Sequence, residues 1–177
     1  MNTKMKIAAV FAAALMLLSF SACAVNMPDS SNSSNTSSEA EATPEPEASV
    51  DESQFADNLE GLQEYMVAKE YISGTPVDME ASFIGAKDGV KYTCSYEGSN
   101  NITMELYEYD TSSLNETAQE IINSVKETGT FELMGITAEA TMSDSGKYLM
   151  VYKDSTSGEV HDTRTQQVKE DFKAFKK

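Results

Sequence analysis

A polar stretch from Asp29 to Ser53 divides this chain of 177 residues into parts with different prospects for folding. It reads DSSNSSNTSSEAEATPEPEASVDES and contains a single large apolar residue, Val50. Such a segment cannot bury enough apolar surface to offset the entropy lost on ordering, so we expect it to be disordered. A hydrophobic core must then come from residues 55–177, which have the length of an ordinary single domain.

The first 22 residues have the pattern of an export signal. Lys4 and Lys6 precede an uncharged apolar run from Ile7 to Phe20, and the small residues at 21–23 suit a processing site. This run of about fourteen residues is too short for a permanent membrane helix, which needs about 20. The sequence therefore predicts a signal peptide at 1–22, a tether at 23–54 and one folded domain at 55–177.

The stretch Leu17–Cys23 resembles the lipobox of bacterial lipoproteins. The resemblance implies that Cys23 becomes the first mature residue and carries lipid. The protein would then be anchored to the cell membrane and face outside the cytoplasm. Phe20 departs from the family pattern, in which leucine is commonest at that position. The alternative is a plain secretory site at Ala22-Cys23-Ala24, which would release a soluble protein.

The charge of the chain excludes one class of partner. It has 29 acidic and 13 basic residues and a net charge of −16. Nucleic-acid binding depends on clustered Lys and Arg, so we expect no nucleic-acid partner. Acidity also opposes binding to anionic lipid by charge alone, so membrane attachment would depend on the lipid on Cys23. An envelope or extracellular protein or peptide remains as a further partner, and the oligomeric state is open.

Few residues suit catalysis or metal binding. The only histidine, His161, lies in a polar link and is predicted to be solvated rather than to act as a base. With so few Cys and His residues we expect no metal site and no cofactor. Glu105 and Glu108 point to opposite faces of a predicted strand, so they cannot form a catalytic pair. Accordingly, we assign no catalytic residue.

The second cysteine, Cys94, would have no partner within the chain if Cys23 is lipidated. It alternates with Val90 and Tyr92 on one face of a predicted strand. We therefore expect Cys94 to be a buried packing residue.

Apolar periodicity predicts an α+β fold. Helices are expected from Phe55 to about Ile72, from a capping box at Ser113–Glu116, and from near Asp162. Strands are expected between them, including one at Met79–Ile84. The predicted architecture is a four- to five-stranded antiparallel sheet with helices packed on one face, in the order α-(β)ββ-α-ββ-α.

Two parts of this order look alike. The ββ pair at 89–110 and the helix after it parallel the ββ pair at 135–154 and the last helix. A tandem ββα repeat and a chance repetition of a common unit are both open.

Tyrosines suggest a binding surface. Tyr107 and Tyr109 alternate with Met104 and Leu106, so they lie on the opposite face of their strand. If helices cover the aliphatic face, these two tyrosines would stand on an open one, as in many recognition surfaces. The alternative is ordinary cross-strand packing.

The functional prediction is a lipid-anchored, non-catalytic binding module for a protein, a peptide or an envelope component. A carboxylate-dependent hydrolase or carbohydrate-active enzyme is one alternative, and a passive surface or spacer protein is another.

Overall fold

The computed structural model describes residues 50–177, so Cys23, the predicted signal peptide and most of the predicted tether lie outside the described residues. The described part contains three α-helices, seven β-strands and two short 3₁₀ turns. The helices are α1 Leu59–Ala68, α2 Glu116–Thr128 and α3 Glu159–Ala174; the strands are β1 Val77–Asp78, β2 Asp88–Cys94, β3 Ile102–Glu108, β4 Thr130–Leu133, β5 Ile136–Glu139, β6 Thr141–Met142 and β7 Tyr148–Asp154; the 3₁₀ turns are Glu52–Gln54 and Ala81–Ile84.

Five strands form one antiparallel sheet in the order β1-β2-β3-β7-β6. The central pair, β3 and β7, is in register along its whole length, with Leu106 opposite Met150 and Tyr107 opposite Leu149. Strands β4 and β5 form a separate two-stranded hairpin. The predicted α+β class with an antiparallel sheet of up to five strands is confirmed.

A first hydrophobic core lies between one face of the sheet and helices α1 and α3. Alternate residues of β2, β3 and β7 point into it, including Met104 and Met150. The helices contribute Leu62, Met66 and Phe172, all of them fully buried. At about 1.5–3 kcal/mol for each fully buried large apolar side chain, this cluster is a major source of folding free energy.

A second core lies on the opposite face and is covered by α2. Ile121, Ile122 and Val125 form the apolar stripe of α2, and they pack with Tyr107 and Leu149 from the sheet. The prediction that all helices cover one face is therefore wrong in this detail. Because β3 and β7 carry large apolar residues on both faces, each face needs its own helical cover.

The two predicted ββα units differ in their packing. Hairpin β2–β3 supplies one strand of the central pair and hairpin β6–β7 supplies the other, with β2 and β6 on either side. However, the helices that follow them enter different cores, α2 in the second and α3 in the first. The first strand of the ββ pair predicted at 135–154 is also divided into β5 and β6, which belong to different sheets. The strand pairs of the two units are thus placed alike in the sheet, whereas the helices that follow them are not.

Several element boundaries differ from the predicted ones because of capping. Helix α2 is capped by Asn115, whose Oδ1 accepts from the Ala118 amide at 2.8 Å, so the capping box with Ser113 is wrong. Helix α1 begins later than predicted, since Asn58 Oδ1 accepts from the Gly61 amide at 2.8 Å. The strand predicted at Met79–Ile84 is replaced by β1 and the second 3₁₀ turn.

The ordered domain also begins slightly earlier than predicted. Val50 packs against the first core. Glu52 bonds to the other end of the domain, since its backbone oxygen accepts from Lys176 Nζ at 2.7 Å. Residues 50–54, assigned to the tether from composition, therefore join the domain next to the end of α3.

A buried carboxylate joins α1 to the sheet. The side chain of Glu108 is 7% exposed, and its Oε1 lies 3.4 Å from both Lys87 Nζ and Lys147 Nζ. Leu59 is the first residue of α1, and its amide donates to Glu108 Oε2 at 3.0 Å. A carboxylate at a helix N-terminus satisfies an amide that lacks a helical partner and is stabilised by the helix dipole. This contact fixes the start of α1 on the end of β3.

We expect Glu108→Gln to lower the free energy of unfolding by about 2–3 kcal/mol, because it removes the charge that holds three donors in a buried site. Urea denaturation would measure the loss. Glu105→Gln on the same strand is the matched control and should cost less than about 1 kcal/mol, because the Glu105 side chain is more exposed than that of Glu108 (19% against 7%) and pairs with the partly exposed Lys91. Equal losses for the two variants would contradict this role of Glu108.

Candidate functional site

Tyr107 and Tyr109 do not form an open surface. They are 6% and 0% exposed, and both belong to the second core. Tyr107 packs over Gly89 on the neighbouring strand, where an added Cβ would lie 2.5 Å from the ring. Tyr109 Oη donates to the backbone oxygen of Ile84 at 3.3 Å, and burial raises the pKa of both phenols. The predicted binding role of these residues on an exposed sheet face is therefore wrong, because α2 and the second 3₁₀ turn cover them.

His161 is buried rather than solvated, contrary to the prediction. It is 7% exposed, and its Nδ1 lies 2.7 Å from Asp154 Oδ2. After His161 the buried residues Val168, Phe172 and Phe175 follow at successive steps of seven, four and three, so His161 lies on the buried stripe of α3. That periodicity was the signal in the sequence that could have placed it.

Asp154 anchors this histidine at the end of β7. Its Oδ1 also accepts from Asn101 Nδ2 at 3.0 Å and from the Thr156 amide at 2.9 Å. Burial alone would raise the pKa of Asp154, but the hydrogen bonds from Thr156, His161 and Asn101 outweigh it and leave that pKa below its usual value. No Ser, Thr or Cys side chain within residues 50–177 hydrogen-bonds to His161, so the pair has no nucleophile to activate. It holds α3 against the sheet.

Cys94 is a buried packing residue, as predicted. It is 8% exposed within the first core, and its Sγ lies 3.8 Å from the backbone oxygen of Tyr71. Burial raises the pKa of its thiol, which lowers the reactive thiolate fraction.

Across residues 50–177, no three or more His, Cys, Asp or Glu side chains are grouped so as to hold a metal ion. None of the described helices is both long enough and apolar enough to cross a membrane.

The candidate site is a cavity of about 630 Å³ at the β6 edge of the sheet. Helix α2 forms one wall, helix α3 forms the other, and residues 140–144 form the floor. Lys126 lies on the first wall, and Lys169 and Lys173 lie on the second. An adjoining cavity of about 340 Å³ shares Lys169 and extends the space toward β5. We call this feature, defined by Lys126, Lys169 and Lys173, the lysine groove.

The helices set the positions of these lysines. Lys126 is in the last turn of α2, which Gly129 ends in a left-handed conformation with φ 72°. Lys169 and Lys173 are four residues apart on α3, which places them on the same side of the helix and about 6 Å apart along its axis. The positively charged side chains of the groove therefore line the space between α2 and α3 on both sides.

The lysines of the groove lack the partners that other basic residues have. Among the eleven basic residues at 50–177, seven form an ion pair or donate to a backbone oxygen: Lys69, Lys87, Lys91, Lys147, Arg164, Lys176 and Lys177. Within the described residues the other four have neither kind of contact: Lys126, Lys153, Lys169 and Lys173. Three of these four line the groove.

Two carboxylates, Asp144 and Glu170, line the main cavity of the lysine groove, and Glu139 lines the adjoining one. Asp144 pairs with Lys177 at 2.9 Å, and this hydrogen bond lowers its pKa. Glu170 lies between Lys169 and Lys173 in sequence and is exposed. The main cavity therefore has one more lysine than carboxylates, and Lys177 offsets the charge of Asp144, although the chain as a whole has a net charge of −16. Such a site concentrates anions.

Sequence reasoning missed the groove because Lys126 and Lys169, which lie on its two walls, are 43 residues apart in the sequence. In addition, the lysines of neither wall belong to a recognisable motif. The signal available was the unequal use of lysine, since the acidic chain places two of its few basic residues one turn apart on α3.

Comparison of the chain with protein-family models, with curated proteins and with solved structures found no match.

We expect Asp154→Asn to cost about 2 kcal/mol of unfolding free energy at neutral pH, because it removes a charged acceptor from a buried site. The folded-state pKa of Asp154 is lowered, so its contribution is complete above the unfolded value of about 3.9 and is lost as the pH falls through the folded value. The difference between the native chain and the variant should thus shrink in acid. Urea denaturation between neutral and acid pH would measure it.

Asp162→Asn is the matched control for this experiment. Asp162 is exposed in the first turn of α3, where we expect its charge to contribute less than about 1 kcal/mol. A stability difference for Asp154→Asn that does not change with pH would exclude the proposed charge effect.

Proposed function

We propose that this protein is a lipid-anchored binding module that faces outside the cytoplasm and acts without catalysis. The support for the anchor is the apolar run that ends in the lipobox-like Leu17–Cys23, followed by a polar, acidic stretch. One acyl chain would hold the protein only reversibly, whereas two or more hold firmly. With 31 residues between Cys23 and Phe55, the tether would let the domain reach about 30 Å from the membrane by chain statistics.

The lysine groove is the observation that carries the binding role. It replaces the tyrosine face as the binding site, because it combines a cavity with charged side chains that have no partner among residues 50–177. Binding sites are typically concave and contain a few convergent polar groups. The partner would be a component of the envelope or of the extracellular space.

The hydrolase alternative has no specific support from the described carboxylates. Glu105 is engaged with Lys91 and Tyr107, and Glu108 is buried against the start of α1. A pair of carboxylates facing an open cleft, which glycoside hydrolysis requires, is not formed by these two residues.

The anchor predicts the behaviour of a cysteine variant. Cys23→Ala should move the protein from the membrane fraction to the medium, or leave an unprocessed precursor, because the acylated thiol is lost. Fractionation followed by immunoblotting would measure this. Cys94→Ala is the matched control and should remain in the membrane fraction. Membrane association of Cys23→Ala with normal processing would refute the lipid anchor.

Occupancy of the lysine groove can be tested without knowing the ligand. We expect Lys126, Lys169 and Lys173 to react several-fold more slowly with an amine-specific reagent in washed envelopes than in the purified protein, because a bound ligand shields them. Lys153 is the internal control, since it is exposed, has no ionic partner among the described residues and lies outside the groove. Peptide mass spectrometry would give the four rates. Equal rates in both preparations would contradict the binding role and favour a passive spacer.

A further inference from the structure

We infer that the lysine groove binds a ligand with several phosphoryl groups, a ligand class that rests on the proposed role of this groove as a binding site. The first argument is the distribution of charge. The chain has more than twice as many acidic as basic residues, so carboxylates are available to pair with most lysines. The structure nevertheless leaves Lys126, Lys169 and Lys173 without a carboxylate within 4.0 Å among residues 50–177 while they line one cavity. Convergent positive charge in a cleft attracts anions.

The second argument concerns the type of cation. The chain contains a single arginine, Arg164, which donates to the backbone oxygen of Glu70 at 2.6 Å and stacks 3.8 Å from the ring centre of Tyr96. The groove therefore uses lysine alone. The planar fork of arginine binds carboxylate and phosphate alike in a bidentate manner, whereas lysine binds an anion such as phosphate as a point charge. Point charges that approach from different sides suit phosphoryl oxygens, which present charge in several directions.

The third argument concerns the size of the ligand. A cavity of about 630 Å³ is much larger than one phosphate group requires. Lys169 and Lys173 are about 6 Å apart along α3, and Lys126 faces them from α2. A ligand that contacts all three ammonium groups must carry negative charge at more than one position. We therefore assign an extended ligand with linked or repeated phosphoryl groups.

Backbone amides on the floor of the groove are already occupied. The Ala140 amide donates to Gly129 O at 2.9 Å, and the Asp144 amide donates to Lys173 O at 2.8 Å. The ligand would consequently be held by side-chain charge, and its binding should weaken as salt concentration rises.

Glu170 opposes the ligand. It lines the groove and forms no ion pair among residues 50–177, whereas the charge of Asp144 is offset by Lys177. Removal of the Glu170 charge should therefore strengthen binding. This effect distinguishes binding inside the groove from general attraction to lysine on the surface.

Isothermal titration of the mature chain with inorganic tripolyphosphate tests the inference. The chain would begin at position 23 and carry Cys23→Ala, so that no acyl chain is present. Each of Lys126→Gln, Lys169→Gln and Lys173→Gln should weaken binding by about twofold to fivefold, as expected for partly exposed charge pairs. Glu170→Gln should strengthen binding, and Lys153→Gln should leave it unchanged. Circular dichroism would confirm that every variant is folded.

Vesicles distinguish the two sources of phosphoryl groups. The same chain would be mixed with phosphatidylcholine vesicles with and without phosphatidic acid. A soluble ligand predicts tripolyphosphate binding without vesicle binding. A lipid headgroup predicts binding only to vesicles that contain phosphatidic acid, with loss in the triple lysine variant. Either result supports the phosphoryl assignment.

Two results would overturn the inference. One is the absence of binding to both tripolyphosphate and phosphatidic acid, and the other is binding that the groove lysines affect no more than Lys153 does. If the groove lysines are still shielded in envelopes, the site binds a ligand of another class and the proposed function survives. If they are not shielded, both the ligand class and the binding role of the groove fail.

Discussion

The central strand pair β3–β7 is buried on both faces, and the rest of the domain is arranged around this constraint. Leu106 and Met150 face the first core, while Tyr107 and Leu149 face the second. An antiparallel sheet often leaves one face to water, but large apolar residues on both faces of these strands require helices on both sides. Helices α1 and α3 cover one face, and α2 covers the other. The lysine groove is a consequence, because α2 and α3 reach the same edge of the sheet from opposite faces and the short strand β6 does not fill the space between them.

Charge in this domain is divided between two roles. Lys87 and Lys147 converge on the buried Glu108, which also accepts from the first amide of α1. Breaking such a buried contact leaves uncompensated charge, so these lysines are committed to the fold. The lysines of the groove have no such structural role, since no carboxylate or backbone oxygen of the described part contacts their ammonium groups. Basic residues that fix the structure and basic residues that remain available for a ligand are therefore distinguishable by their contacts, although they look alike in the sequence.

The sequence predicted the parts of the fold that depend on local periodicity. The antiparallel sheet and the burial of Cys94 followed from strict alternation, which determines the face of a strand without reference to the rest of the chain. Sequence-based prediction failed where the burial of a residue depends on which helix covers which face of the sheet. Tyr107 and Tyr109 were assigned to an open surface, but α2 covers them. His161 was misplaced for a different reason, because the polar residues before α3 concealed its position on the buried stripe. The spacing of Lys169 and Lys173 was visible in the sequence, but the groove itself was not, because its lysines come from separate helices and converge only in the tertiary structure.

The position of the lysines at a sheet edge admits a second physical explanation. Exposed edge strands can pair with other chains, and lysine beside an edge opposes such pairing. Edge protection accounts for positive charge next to β6, but it needs only one or two lysines on the edge strand itself. Here the charges belong to α2 and α3, they line opposite walls of a cavity, and the two-residue edge strand β6 carries none. Edge protection also gives no reason for Lys126 to lie on the wall opposite Lys169 and Lys173. A binding site requires charged side chains that converge on a space large enough for a ligand. Edge protection has no such requirement.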